Sequence, residues 1–364
     1  MAQSIKRSAI QYSTMVQGTG KCFSFFLLFL LLSCGATRRG DQVLLPFQFK
    51  GLAQGTTYQV TYYASDSVVT AGDLNDIFLR IDSSLSVYKP YSVISRFNDA
   101  SEKIKMDTHL RKVLEKSAVI YRETKGISDV TVYPLVEAWG FGPKRSKGVP
   151  DSSAIRSILP CVGAEKIEMA GDWLIKKLPC VKIDLNGIAQ GYTVDVISSI
   201  LEQHGIRNYL VEVGGEIRSR GLKQPGNTSF KIGIEAPAGD FDETVIKRVV
   251  EIKNGAVTTS GNYRRYYESD GRIISHLINP KTGYPLNNEL ISVTVFANDA
   301  ITADGYDNAL MGMGLKDAFS FLEKHKDLQA HFIFRTQSGA VADTATTGFY
   351  KMFIDAETAT SAKD

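Results

Sequence analysis

The stretch VKIDLNGIAQGYTVD, Val181 to Asp195, changes its apolar period half-way along. Val181, Ile183 and Leu185 alternate with polar neighbours, the period of two that predicts a short strand. Asn186-Gly187 then supplies a turn dipeptide. Beyond it Ile188, Tyr192, Val196, Ile197 and Ile200 recur at helical spacing. Asp184 thus closes a strand just before a glycine-bearing bend and a helix start. The unpaired N–H groups and the dipole of such a start suit an anionic ligand. The same residues also read as an ordinary strand–turn–helix corner, and by themselves they do not choose.

Working outward, the spacing predicts one strand within Gln48–Tyr63 and a helix over Ala71–Val87 with Leu74, Ile77, Phe78, Ile81 and Leu85 on one face. A polar loop follows over Tyr88–Asn98, then a helix over His109–Glu123 and a strand over Asp129–Val132. Trp139-Gly140-Phe141-Gly142 suits either a flat ligand or the cap of a core. Lys166–Met169 and Trp173–Lys177 predict a hairpin about Ala170-Gly171-Asp172. Strand Tyr209–Val213 ends in Gly214-Gly215, which permits close backbone approach to a ligand. Further strands are expected at Lys231–Glu235, Arg248–Lys253 and Leu290–Ala297, with helices opening at Ala303-Asp304 and over Leu315–Lys324. Strands and helices mix without a strict βαβ rhythm, so the expected class is α+β, mixed sheets with packed helices.

At the N-terminus Lys6, Arg7 and Lys21 precede the apolar run Phe23–Leu32. That run is shorter than the roughly 20 residues a bilayer span needs. With Ser33-Cys34-Gly35 closing it, the segment has the form of a secretory signal. Leu31-Leu32-Ser33-Cys34 looks like a bacterial lipobox, in which Cys34 becomes the lipidated first residue; a plain cleaved signal with an incidental Cys is the alternative. The expected division is a signal over 1–33, a tether over 34–46, one folded domain over 47–356 and a tail over 357–364, anchored by lipid to a bacterial membrane and facing the periplasm. Removing 1–33 takes away three basic residues and no acids, so the net charge falls from +3 to zero. That argues against nucleic-acid binding, which needs a basic face.

The five His and four Cys show no zinc spacing. No Walker A loop, G-x-S-x-G elbow or post-strand G-x-G-x-x-G appears. Asp304, Asp307 and Asn308 fall at i, i+3 and i+4 on one face of a predicted helix start. With a carbonyl from the Asn186-Gly187 bend they make an oxygen set suited to Mg²⁺. Asp304 as a helix-start residue answering the dipole is the competing reading. Cys161 and Cys180 flank the predicted hairpin, and with Ala170-Gly171 as its turn they fall opposite each other. A disulfide across about 20 residues contributes roughly 3 kcal/mol on the chain-entropy model. Against it, both Cys also suit a buried apolar role, and Pro160 and Pro179 disturb the register.

In order, QGTTYQV (54–60), YKPYSVISRFN (88–98), DVTVYPLVEAWGFG (129–142), DLNGIAQGYTVD (184–195), VEVGGEIRSRG (211–221), AVTTSGNYRRYY (256–267), HLINPKTGYP (276–285) and ADGYDNALMGMG (303–314) resemble the motifs of the ApbE family, the FAD:protein FMN transferases. The resemblance covers about Lys50 to about Lys351. It implies an ApbE-like flavin transferase fold and an enzyme that takes FAD as substrate and Mg²⁺ as cofactor. Such an enzyme moves FMN onto a Thr hydroxyl of an acceptor flavoprotein and releases AMP. The implied flavin-nucleotide contacts are Gln54, Tyr88, Ser128, Asp129, Asp184, Gln190 and Ile278. The implied metal contacts are the Gly187 carbonyl, Asp304, Asp307 and Asn308. His276, in H-x-x-x-P-x-T-G-x-P, matches a His tied to activity. Gln190 stands where Lys or Glu is usual, and Asp307-Asn308 where a small residue and Thr are usual; an Asn carbonyl still serves as a neutral oxygen ligand. The implied acceptor carries a D-x-x-T-G-A-T-like site, as expected of subunits of Na⁺-translocating quinone reductase or Rnf-type complexes. A Thr hydroxyl is a poor nucleophile, and either His276 or an Asp of the metal motif is the base that helps it. Hydrolysis of FAD to FMN and AMP, and flavin binding without catalysis, stand as rival functions.

Overall fold

The computed structural model describes residues 43–143, 149–237, 244–263, 266–269 and 272–354. The signal segment, Cys34 and the tail lie outside the described residues. The spine of the fold is an antiparallel sheet whose strands lie in the order β1 (Leu45–Ala53), β2 (Thr56–Ala64), β6 (Tyr209–Val213), β7 (Glu216–Arg220), β10 (Gly255–Gly261), β13 (Leu290–Ala297), β14 (Gln329–Arg335) and β15 (Val341–Ala345). Side chains alternate between its faces. Tyr62, Val211, Ala256 and Val295 enter the main core. Their neighbours Tyr63, Leu210, Val257 and Phe296 meet a second cluster. That cluster is covered by a small sheet of β8 (Phe230–Pro237), β9 (Thr244–Ile252) and β16 (Phe353–Ile354).

On the main-core side, α6 (Ala189–Gln203) packs on β6 and β7, and α7 (Ala300–Met313) packs on β10 and β13. Outside them lie α1 (Ala71–Leu85), against α6, and α3 (Thr108–Glu123), against α7. α8 (Leu315–Leu322) packs against α7 and β14. Smaller pieces complete the wall: α2 (Val93–Asp99), β3 (Lys103–Lys105), α4 (Tyr133–Ala138), α5 (Ser152–Ile158), the hairpin β4 (Ile167–Ala170) and β5 (Trp173–Lys176), the ribbon β11 (Tyr266–Ser269) and β12 (Arg272–Ser275), and α9 (Thr347–Tyr350). The class is α+β, as the mixed pattern predicts.

Several local expectations need correction. Gln48–Tyr63 is two strands, because Gln54 and Gly55 turn the chain at positive φ. β1 opens at Leu45, inside the stretch expected as tether. The expected loop Tyr88–Asn98 contains α2, whose N-cap Ser92 accepts from Ser95 N at 3.1 Å. Asp129–Val132 is no strand: Asp129 accepts from Thr131 N at 2.8 Å and caps a 3₁₀ turn over Val130–Val132. Such local side-chain bonds compete with a ladder. Val181–Leu185 also forms no strand, although Val181, Ile183 and Leu185 are buried as the alternation predicts. Its backbone is held by a side chain instead: Ile183 N donates to Asn98 Oδ1 at 2.7 Å, and Asn98 Nδ2 donates to Ile183 O at 2.9 Å.

Cys161 and Cys180 are bridged, with Cα atoms 5.5 Å apart. The hairpin register differs from the expected one: Ala170 pairs with Trp173, so the turn is Gly171-Asp172. Cys161 lies in a 3₁₀ turn (Leu159–Cys161), and Cys180 lies beyond β5, so the bridge joins two connecting segments rather than two paired strands.

His331 is wholly buried on β14, and its Nε2 lies 3.1 Å from Asp343 Oδ2 on β15. Arg248 of β9 donates to the same carboxylate at 2.8 Å and 3.1 Å. Burial holds the His331 ring below the usual histidine range, against the pull of Asp343. Burial raises the Asp343 carboxyl, but hydrogen bonds from Arg248 and His331 outweigh it and leave the group lowered. A depressed His means that the unfolded chain binds more protons below about pH 6.5, so stability falls as pH drops through that value. The lowered Asp343 removes further stability below about pH 4. Thermal melts are expected to show a less favourable change in Tm from pH 7 to pH 5 for the native chain than for His331→Gln, the buried carboxyls elsewhere contributing equally to both; equal changes would contradict this assignment.

Candidate active site

α6 has no capping side chain of its own, since Ile188 stands at its N-cap. Its Gly191 N–H donates instead to Asp304 Oδ2 on α7, at 2.8 Å. α6 answers in return: Asp195 accepts from Ala300 N at 3.0 Å and Ile301 N at 2.8 Å, at the start of α7. Carboxylates at helix N-termini satisfy orphan N–H groups and meet the positive end of the dipole. Arg218 of β7 donates to Asp195 at 2.6 Å and ties the pair to the sheet. The approach demands glycine, because a Cβ on Gly191 would stand 2.4 Å from Ala300 O and 2.7 Å from Asp304 Cβ. Asp304 is therefore no helix-start residue: α7 begins at Ala300 under its N-cap Asp299, and Asp304 sits a turn further in.

This crossing sets α7 against the Asn186-Gly187 bend. Asn308 Nδ2 donates to Gly187 O at 3.3 Å, Asp304 O at 3.2 Å and Asp307 Oδ1 at 2.9 Å, while Asn308 Oδ1 accepts from Ser260 Oγ at 3.0 Å. Asp304 and Asp307 are 4% and 1% exposed. Burial pushes the Asp304 carboxyl up to about 7, against the pull of the Gly191 N–H. Burial and the charge of Asp304 together push Asp307 well above the carboxylate range. Two buried carboxylates without a counter-charge are costly, and a cation relieves that cost. Two carboxylates, a carbonyl and an amide oxygen are hard donors, so the set fits a hard divalent cation. Among the described residues, no three His, Cys, Asp or Glu side chains gather to hold a metal by themselves. Gly187 O adds a neutral oxygen, and Asn308 adds its own once its amide turns over, because Nδ2 rather than Oδ1 faces Gly187 O and Asp307 Oδ1.

A cavity of about 490 Å³ opens beside these groups, and all twelve expected nucleotide, metal and activity positions line it. Asp129 Oδ2 accepts from Ala164 N at 3.2 Å and its Oδ1 from Thr131 Oγ1 at 2.6 Å, yet burial still holds the carboxyl above its usual range. Asp184 lies beside it, its N–H donating to Val130 O at 2.7 Å and its Oδ1 accepting from Asn186 N at 2.8 Å. Gln54 Oε1 is buried without a hydrogen-bond partner, the state of a group that awaits a ligand. Tyr88 is half-exposed. Gly214 does permit a close approach, but by Gln190: a Cβ there would stand 2.7 Å from Gln190 Nε2.

His276 and Ile278 sit on a loop that folds back through an Ile278–Pro285 bridge. Trp139 Nε1 donates to Gly283 O at 2.7 Å and anchors that loop. The aromatic cluster thus divides: Trp139 is core, whereas Phe141 lines the cavity and meets the His276 ring edge-on at 6.2 Å. Sequence reasoning missed Glu216, Asp82 and Ser260. Glu216 is 8% exposed, lines the cavity and adds to the upward push on Asp307. Its signal was its place straight after Gly214-Gly215, where a strand begins at the cavity wall.

The ApbE family profile matches residues 54–332. The chain belongs to the ApbE family. The FAD:protein FMN transferase of Vibrio cholerae is 36% identical over 317 residues, covering 85% of this chain and 92% of that protein. The Escherichia coli K12 protein of the same name is 32% identical over 318 residues, covering 85% and 89%. Among solved structures, the flavin transferase ApbE of Vibrio cholerae superposes with a TM-score of 0.76 at 32% identity, covering 85% of this chain and 99% of that one. The apo flavinyl transferase ApbE of Pseudomonas stutzeri does so with a TM-score of 0.77 at 32% identity, covering 85% and 97%.

In this ApbE-family chain the reciprocal caps hold the site's scaffold. Asp195→Ala removes acceptors from two α7 N–H groups and the partner of Arg218, so it is expected to cost about 2–3 kcal/mol in urea unfolding. A loss within about 0.5 kcal/mol, the range of ordinary surface changes, would show that the caps contribute little.

Proposed function

We propose that this chain transfers the FMN half of FAD to a Thr hydroxyl of an acceptor flavoprotein, releasing AMP, with Mg²⁺ as cofactor. The observation that carries the proposal is the convergence of all twelve family-matched positions on one cavity, in a chain that belongs to the ApbE family. The Thr oxygen forms a bond to the phosphorus of the FMN half, and the bond from that phosphorus to the oxygen of the departing AMP breaks. Mg²⁺, held by Asp304, Asp307, the Gly187 carbonyl and the Asn308 amide oxygen, would supply charge neutralisation at the pyrophosphate.

The chain's own residues do the remainder. Asp129, Asp184 and Gln54 line the cavity and hold the nucleotide, and so set how tightly FAD binds. His276 takes the Thr proton: it lines the cavity and its ring is braced by Phe141. The Asp pair is reserved for the cation. By the lipobox pattern, Cys34 carries the lipid that anchors the chain to a membrane on its periplasmic face, beside the acceptor.

The test is an acceptor fragment with a D-x-x-T-G-A-T-like site, incubated with FAD and the protein. Covalent flavin fluorescence on the acceptor is expected with Mg²⁺, is lost in EDTA, and is lost in Asp304→Ala. His276→Ala is expected to lower the transfer rate by about 10²–10⁴ while leaving FAD affinity nearly unchanged. Free FMN and AMP with an unlabelled acceptor would replace transfer by hydrolysis. No product, with FAD bound, would leave a flavin-binding protein only.

A further inference from the structure

The Cys161–Cys180 bridge lies outside the catalytic set, yet both of its ends lead within a few residues into the wall of the cavity. From Cys161 the chain passes Val162 to Gly163 and Ala164. Gly163 N donates to Thr131 Oγ1 at 2.6 Å, and Ala164 N donates to Asp129 Oδ2 at 3.2 Å. From Cys180 the chain runs through buried Val181 and Ile183 to Asp184, whose N–H donates to Val130 O at 2.7 Å. Val130 is the residue between Asp129 and Thr131. The bridge therefore closes a ring: Cys161, Gly163–Ala164, Asp129–Thr131, Asp184, Cys180. Asp129 and Asp184, two carboxylates that line the cavity, are both members of it.

The two arms are held by different means. On the Cys180 side, Asn98 clamps the backbone of Ile183. Lys176 Nζ donates to Asn98 O at 3.2 Å, Ala100 O at 2.8 Å and Pro179 O at 3.5 Å. The Cys161 arm runs from a 3₁₀ turn of three residues through buried Val162, whose carbonyl accepts from Lys166 Nζ, to Gly163 at φ 140°. The disulfide joins the two arms, and so links the donors that face Asp129 to the segment that carries Asp184. Cys180 is exposed and Cys161 half-buried, so a reductant reaches the bridge.

We propose that Cys161 and Cys180 are positioning residues for FAD, and that the bridge pre-organises Asp129 and Asp184, while the reciprocal caps of α6 and α7 keep Asp304 and Asp307 in place without it. This rests on the cavity being the FAD site. A dithiol that passes two electrons and two protons to the bridge gives two thiols and its own disulfide, and would loosen FAD binding reversibly. Groups that must be ordered on binding weaken affinity, so the effect appears in the dissociation constant and KM for FAD. The rate at saturating FAD, which depends on Asp304, Asp307 and His276, stays within about two-fold.

The experiment compares three full-length proteins in the presence of Mg²⁺: oxidised native chain, dithiothreitol-reduced native chain, and Cys161→Ser/Cys180→Ser. FAD affinity is read by flavin fluorescence, and kcat and KM by transfer to the acceptor fragment. The expected result is an about ten-fold weaker FAD affinity and higher KM in both unbridged forms, with kcat held and affinity restored on reoxidation. A bridge that only stapled the fold would lower Tm without moving FAD affinity, and equal affinities in the bridged and unbridged forms would overturn the proposal. If the double-Ser chain does not fold, the reduced native chain gives the same readout. Failure of the oxidised native chain to bind FAD at all would instead overturn the reading of the cavity, and this inference with it.

Discussion

Two carboxylates, each supplied by one helix to the start of the other, tie α6 to α7. Asp304 receives the Gly191 N–H, and Asp195 receives the first two N–H groups of α7. The contact is close enough that only a glycine fits at 191. Since α6 follows directly from the Asn186-Gly187 bend, fixing the two helices also fixes the Gly187 carbonyl beside Asn308. The oxygen cluster thus follows from the packing of two helices on one sheet. Arg218 extends the same network to β7, so the sheet registers the crossing as well.

The walls of the cavity are held by different means. At the α6–α7 contact, buried carboxylates stand in an environment that disfavours their charge, and they are fixed by helix packing. Asp129 and Asp184 sit instead on connecting segments with no ladder, and backbone donors, the Asn98 clamp and the disulfide hold them. Loops carry function when a rigid scaffold presents them. Here the scaffold includes a covalent bond. On another wall Phe141 meets His276, and Trp139 anchors the loop on which His276 stands.

Much of this was legible in the sequence. The apolar stripe of α1 set its face, and each of the eight ordered motifs contributes residues to the cavity. What was hidden depended on partners far along the chain. Val181–Leu185 has the alternation of a strand and the burial of one, but its hydrogen bonds go to Asn98, 85 residues away. No periodicity reveals that Gly191 and Asp304, 113 residues apart, cap one another. The pairing of Cys161 with Cys180 was left open in the sequence, and the hairpin register that argued for it is wrong by its turn; the bridge joins segments beyond the hairpin that lead to Asp129 and Asp184. Asp129–Val132 was misread because a β-branched run looked like a strand while its leading Asp capped a turn.

The central claim is that the α6–α7 contact at Gly191 builds the cation site. It is tested most directly by calorimetric titration of Mg²⁺ into the native chain and into Gly191→Ala, with circular dichroism confirming that the variant is folded. Gly191 supplies no proposed metal ligand, so a folded variant that binds Mg²⁺ at least about ten-fold more weakly is the predicted result. Equal affinity in the two proteins would contradict the account, since the oxygen set would then assemble without the close crossing of the helices.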